Sequence, residues 1–330
     1  MTTPYTITVS RPGTEIPPVD VRPVMTPLAY VNLDGVQVPA RVARHRCVKS
    51  MMESCGTAEV VLAEPTGLLA TLSDTLAEKL SPPAGTTPTL VQFELVLGYR
   101  GWGAWSVYTG WVQRAEPLDK RTLTLKLDAV DDLPLRQTRI TEATLESDPQ
   151  TAVAGLLARA GIARTYISLY SAKAIPDDPY NRTTAQPCAP LKRQVIRNKS
   201  VLEVLEELKG TLKIPYCWRF DAAAKFVWSP WVDGADEAAS PNPVFQYRRN
   251  IVKLTPPSGD RADYRDLRDP YLPAGAVFGL EAIPQPWLQA GQVAFLDHPR
   301  SIWKRMRCDS IEHTGGRNRT RSEIPLRGVS

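Results

Sequence analysis

Proline excludes most regular structure, because its ring fixes φ and removes the amide hydrogen that central strands and helix interiors require. Thirty of the 330 residues are prolines, so the chain must run in short elements joined by bends and extended connections. Pro12, Pro17, Pro18, Pro23 and Pro27 crowd the start, where only Tyr5 to Val9 reads as a strand, and residues 1–27 are expected to form an extended N-terminal arm. The length allows two or more domains, each with its own core. A content of 43% hydrophobic and 23% charged residues fits a globular chain rather than a disordered or fibrous one. No apolar run reaches the roughly 20 residues that cross a bilayer, and Met1 to Ser10 lacks the basic-then-apolar pattern of a secretory signal. The expectation is a protein that neither spans a membrane nor is exported by that route.

The first half carries period-2 patterns. Leu28 to Leu33 and Val36 to Val38 flank Asp34-Gly35, a hairpin signal because a type I′ turn needs positive φ at both central residues. Thr57 to Ala63 is rich in β-formers. Val91, Phe93, Leu95 and Leu97 alternate with Gln92, Glu94 and Val96, and Leu123, Leu125 and Leu127 alternate with Thr122, Thr124, Lys126 and Asp128. Gly98 to Gly103 makes a glycine-rich turn, with Val107 to Gln113 as the return strand. Such alternation gives one buried and one wet face, so residues 28–140 read as an antiparallel β-barrel or sandwich.

The period then changes. Ser147 or Asp148 can cap a helix that carries apolar residues from Ala152 to Ala160 at three-and-four spacing and ends at Gly161. Ser200-Val201-Leu202-Glu203 is a capping box opening a second helix with a wide apolar stripe through Leu212. Tyr216 to Phe220, a turn at Asp221 to Ala224, and Lys225 to Trp228 follow. Residues 141–240 therefore read as a small α+β unit with the chain's helices confined to it. Val244 to Tyr247, Ile251 to Leu254, Gln292 to Leu296, Met306 to Glu312 and Arg321 to Leu326 read as strands again.

Chemistry is sparse. There is no G-x-S-x-G elbow, P-loop, H-E-x-x-H or dinucleotide fingerprint. His45, His298 and His313 lack ligand spacing, and the five scattered cysteines form no C-x-x-C pair, so reduced thiols are expected. Asp131-Asp132 with Glu142 or Glu146 could form a glycosidase pair, although adjacent aspartates before Leu133-Pro134 are more simply a loop or turn. Trp102, Trp105 and Trp111 could stack sugars or serve as barrel core and subunit contact. Basic residues cluster at Arg41, Arg44, Arg46 and Lys49, and again from Arg300 to Arg321, while the net charge is only +5. Acidic runs on the same chain favour self-assembly over nucleic-acid readout. Candidate interface residues are Trp102, Trp105, Arg41, Arg44, Arg46, Arg305 and Arg307; no catalytic, cofactor or metal residue is expected.

Several segments, in order, resemble one family. They are Ser50 to Leu62, Val107-Tyr108-Thr109-Gly110-Trp111-Val112, Thr122 to Ala129, Thr151 to Ile162, Ser200 to Trp228, Pro286 to Val293, and Arg307 to His313. Together they resemble the baseplate hub family of tailed phages and contractile injection systems, the group that includes late control protein D. Asp221 to Ala224 departs from it in lacking the usual hairpin glycine, and the arm before residue 28 is longer than the pattern needs. The resemblance implies an α+β, mostly antiparallel β fold, with two tail-tube-like barrels and an inserted α+β unit, residues 241–330 completing a discontinuous second barrel. It also implies a non-enzymatic homotrimer that joins a sixfold tail tube to a threefold spike or tail tip around a central channel. Its partners would be itself, the tube protein, the spike or tip protein and a tape measure protein, within a virion tail baseplate assembled in the host cytoplasm. A cell-wall glycosidase or a carbohydrate-binding tail protein is the rival expectation.

Overall fold

The computed structural model describes residues 27–297 and 305–328, apart from 52, 54, 84–87, 101–102, 120–122, 146–147, 175–182, 222, 230–243, 248–249, 256–276 and 317–318. The expected arm lies outside the described residues except for Pro27, as does Trp102. The predicted hairpin forms: β1 (Pro27–Leu33) returns as β2 (Val36–Gln37), with Leu33 opposite Val36. Asp34 and Gly35 take φ of 49° and 79°, both in the left-handed region that a type I′ turn demands.

Five longer strands follow: β3 (Arg41–Ser50), β4 (Thr57–Ala63), β5 (Gln92–Tyr99), β6 (Gly103–Pro117) and β7 (Thr124–Val130). Their spatial order is β3-β4-β7-β6-β5-β1-β2, with every neighbouring pair antiparallel. The alternation read from the sequence is real. Phe93, Leu95, Leu125 and Leu127 are fully buried on one face, each contributing about 1.5–3 kcal/mol of transfer free energy.

One expectation fails here, because helices are not confined to the middle. Helix α1 (Leu68–Leu80) lies between β4 and β5 and packs Leu69 and Leu76 into the same core. Its N-cap is Gly67, which has no side chain to signal a start. The first amides are satisfied instead from upstream, where Glu64 accepts hydrogen bonds from the Thr66 and Leu68 amides at 2.7 and 3.1 Å.

The middle holds α2 (Leu133–Gln137), β8 (Arg139–Leu145), α3 (Pro149–Arg159), β9 (Thr165–Ile167), β10 (Tyr170–Ala174), β11 (Thr183–Pro187), β12 (Gln194–Ser200), α4 (Val201–Leu212), β13 (Arg219–Phe220) and β14 (Phe226–Trp228). Asp148 caps α3 by accepting from the Thr151 amide. At α4 both halves of the capping box form between Ser200 and Glu203. The apolar faces of α3 and α4 meet over Trp218, Phe226 and Trp228. Ala224, with φ of 57°, occupies the left-handed position where the resembled hairpin carries glycine. Asp221 holds that turn by accepting from the Ala223 and Lys225 amides, both at 2.8 Å.

The chain then returns to strands: β15 (Val244–Gln246), β16 (Ile251–Thr255), β17 (Val277–Ala282), β18 (Val293–Asp297), β19 (Arg305–Cys308), β20 (Ser310–Gly316) and β21 (Arg319–Gly328). The single strand expected from Met306 to Glu312 is two, broken at Asp309, whose carboxylate turns inward to Arg307. β20 runs antiparallel along β3, from Ser310 opposite Ser50 to Gly316 opposite Arg44. That pairing joins both ends of the chain into one fourteen-stranded sheet in the order β15-β18-β19-β21-β20-β3-β4-β7-β6-β5-β1-β2, with β17 on β21 and β16 on β17. The fold is α+β and mostly antiparallel β.

Candidate functional site

Two groups of charged residues grow out of β3, one on each face. Residues 44 and 46 point outward, and the exposed face continues across β20, β4, β7 and β6 as a ladder of opposite charges. Arg46 pairs with Glu312 and Arg44 with Glu59; Lys126 bridges Glu59 and Asp128 at 3.3 Å each, and Arg114 pairs with Glu116 at 3.0 Å. Such solvated pairs contribute at most about 1 kcal/mol each, so their main effect is a wet, charge-compensated surface. Glu59 is held below its ordinary range: burial pushes its carboxyl up, and the Arg44 and Lys126 contacts outweigh that.

The other face of β3 buries polar side chains. Lys49 is enclosed, and its ammonium donates to the carbonyl oxygens of Phe220 and Asp221, lies 4.0 Å from Asp131, and sits 4.9 Å from the centre of the Tyr108 ring. Asp131 in turn accepts from the Gly56 amide at 2.8 Å. Burial lowers the Lys49 ammonium against the pull of Asp131, and pushes the Asp131 carboxyl up to about 7 against the pull of Lys49. Desolvation thus disfavours both charges, and their proximity offsets it. The network ties β3 and the end of β7 to the β13 hairpin.

A second buried set lies beside it. Arg219 donates to the Ser229 carbonyl at 3.1 Å and is lowered to about 10, by burial first and then by Arg307. Arg307 pairs with Asp309 at 2.9 Å. Gly291 has φ of 89°, and a Cβ there would stand 2.7 Å from the Arg219 guanidinium. Glycine is therefore required in the late turn that the sequence marks at Pro286 to Val293. Between Lys49 and Arg219 remains a cavity of about 10 Å³, also lined by Phe220, Asp221 and Gln289, room for about one water and no larger ligand.

The structure separates the predicted interface residues. Arg41, Arg44 and Arg46 are exposed on β3. Trp105 is half-buried and packs edge-on against Trp287 at 5.2 Å, so it joins β6 to the segment after β17 within the chain. Arg305 lies on β19, while Arg307 is buried against Asp309 and is not offered to a neighbour. Trp111 packs on Phe220 at 5.8 Å, as core and not as an open platform.

The glycosidase candidates do not assemble. Asp131 points into the interior, Asp132 is buried and accepts from Arg136 at 2.7 Å, and Glu142 is exposed on β8 opposite Arg197. Glu146 lies outside the described residues, as does His298. The Asp131-Asp132 pair, read as a loop or turn, follows β7 and places Asp132 at the N-cap position of α2 without a side-chain capping bond. His45 and His313 are buried between β3 and β20 and lowered by burial to about 4 and about 3. All five cysteines are free thiols. Among the described residues no group of three or more His, Cys, Asp or Glu could hold a metal, and no helix is long and apolar enough to cross a membrane.

No protein-family profile matches the sequence, and no curated protein matches it. Solved structures do. The 43 kDa tail protein of prophage MuSo2 from Shewanella oneidensis superposes with a TM-score of 0.55 at 10% identity, covering 91% of this chain and 96% of that one. A tail protein from Neisseria meningitidis gives 0.55 at 11% identity over 92% and 96%. The chain has the fold of a phage tail protein. This tail-protein fold is also similar to an Escherichia coli component of the type VI secretion system, itself structurally similar to the T4 bacteriophage tail proteins gp27 and gp5, with a TM-score of 0.53 at 12% identity over 91% and 77%.

Proposed function

We propose that this chain is the structural baseplate hub of a phage or phage-like tail. Three copies close a ring around the tail axis, each contributing two tube-like barrels, and so match a sixfold tail tube to a threefold spike or tail tip while enclosing the channel. The observation that carries this reading is the near end-to-end likeness to tail proteins of similar extent, supported by the likeness to a secretion-system component that resembles gp27 and gp5. The inward orientation of Asp131 and Asp132 favours a structural role over a glycosidase. A ring needs a heterologous interface, with different surfaces of each subunit meeting, and roughly 2,000 Å² or more if the contact is obligate. The exposed arginines of β3 are the elements we assign to contacts with neighbours: a second copy, the tube protein, the spike or tip protein, and the tape measure protein. The setting would be a virion tail baseplate assembled in the host cytoplasm.

The reading is tested by deleting the gene in a tail-producing host and purifying tails. Tubes without a terminal spike, restored by the intact chain, are expected. Complete, infective tails in the deletion would refute it.

A further inference from the structure

Lys209 and Cys217 stand outside every network described above. Lys209 lies in the last turn of α4, and Cys217 follows beyond the Ile214-Pro215 turn, just before β13. Their terminal atoms, Nζ and Sγ, are 2.6 Å apart. That is closer than the roughly 2.7–3.2 Å at which N–H donors approach oxygen, although sulfur is the larger atom. The lysine nitrogen and the thiol sulfur are thus in direct hydrogen-bonding contact, close enough for a single oxygen atom to join them.

The surroundings fix the pair. Cys217 is buried, its amide donates to the Met51 carbonyl at 2.7 Å, and the next residue, Trp218, is a fully enclosed core residue. The lysine is only half-buried, and the exposed Glu206, three residues earlier on α4, is its neighbour on the helix surface. Solvent and an oxidant can therefore enter from the Lys209 side, and a carboxylate is at hand to take the proton that the ammonium must release. Holding two reacting groups in contact in this way replaces a bimolecular encounter with an intramolecular one.

We propose that Lys209 and Cys217 form a nitrogen–oxygen–sulfur crosslink when the chain meets dioxygen, making the pair a reversible oxidative clamp. In the step, the S–H bond and one N–H bond of the neutral amine break. One oxygen atom becomes bonded to both sulfur and nitrogen, and the other leaves as water with the two hydrogens. Sulfur and nitrogen each give up two electrons, and dioxygen takes all four. The clamp ties the end of α4 to the segment that enters β13, within the α3–α4 core, and under reducing conditions it stands open. This inference rests on the pair itself and holds whatever the chain assembles with.

Full-length protein purified under reductant is divided, and one half is incubated in air-saturated buffer before intact-mass and peptide analysis. The treated chain should gain one oxygen atom and lose two hydrogens, with a single crosslinked peptide joining residues 209 and 217, and dithiothreitol should restore the starting mass. Lys209→Arg, which keeps a cation in place, should abolish the crosslink. The unfolding midpoint should rise on oxidation in the native chain and not in that variant. A Cys217 thiol that stays free, goes to sulfinic or sulfonic acid without crosslinking, or links to nitrogen without the oxygen would overturn the proposal.

Discussion

Replacing Lys49 with methionine tests whether the buried charge network holds the sheet to the β13 hairpin. The side chain is about as long, so packing against Tyr108 is largely kept while the ammonium is lost. Three interactions go with it: the donor to the Phe220 carbonyl, the donor to the Asp221 carbonyl, and the countercharge to Asp131. Breaking a buried ion pair from one side costs about 3–5 kcal/mol, with an unsatisfied carbonyl within that range at about 1–3 kcal/mol. Part of the cost is relieved by protonation. The Asp131 carboxyl is already raised to about 7, and without Lys49 it rises further. A carboxyl raised in the folded state contributes stability that is present at low pH and lost as pH climbs through its folded value. Lys49→Met should therefore be least stable near pH 8 and recover as the solution is acidified towards pH 6. Asp131→Asn keeps an acceptor for the Gly56 amide and cannot be charged, so the double variant should be more stable than the sum of the single losses predicts, by at least about 1 kcal/mol. Guanidinium denaturation of the four proteins at both pH values supplies the cycle. A loss below about 1 kcal/mol for Lys49→Met, additive with Asp131→Asn, would refute the idea that this pair is coupled in the core.

Other consequences follow from single sites. Leu205, fully buried on α4, should cost about 2–5 kcal/mol on change to alanine, whereas exposed Glu206 should change stability by no more than about 0.5 kcal/mol; equal small effects in denaturant melts would mean that the stripe is not packed. Ala224→Gly relieves a left-handed alanine and should stabilise the protein by about 0.5–1 kcal/mol, and a loss of stability there would contradict the turn geometry. His45, lowered to about 4 by burial, contributes stability that is complete above about pH 6.5 and declines as pH falls towards 4, at about 1.4 kcal/mol per pH unit. His313 adds to this slope and Asp131 opposes it, so the comparison is with His45→Gln, whose stability should fall less steeply between about pH 6 and 4.5; an unchanged slope would show that His45 is not a buried neutral group.

What the sequence disclosed depended on whether each structural cause was local. The Asp34-Gly35 turn, the alternation of β5 and β7 and the Ser200 capping box place their determinants within a few residues of one another, and all three form. α1 was hidden because its amides are capped by Glu64, upstream of a glycine N-cap, which leaves no Ser or Thr signature. β3 shows in the sequence only as a basic cluster, because a bulge between Val42 and Arg44 shifts its alternation and because its inward positions include His45 and Lys49, residues that a pattern reading assigns to solvent. The partners that make those burials tolerable, Asp131, Phe220 and β20, lie far along the chain. Arg307 misled for the same reason: its charge is spent on Asp309 inside the protein.

The most direct test of the hub reading is three-dimensional density at the end of an assembled tail that contains this chain, with copies counted around the axis. Three copies enclosing a channel, below the sixfold tube and above the spike, are predicted. Six equivalent copies would make it a tube protein, and a position off the axis would contradict the hub assignment altogether.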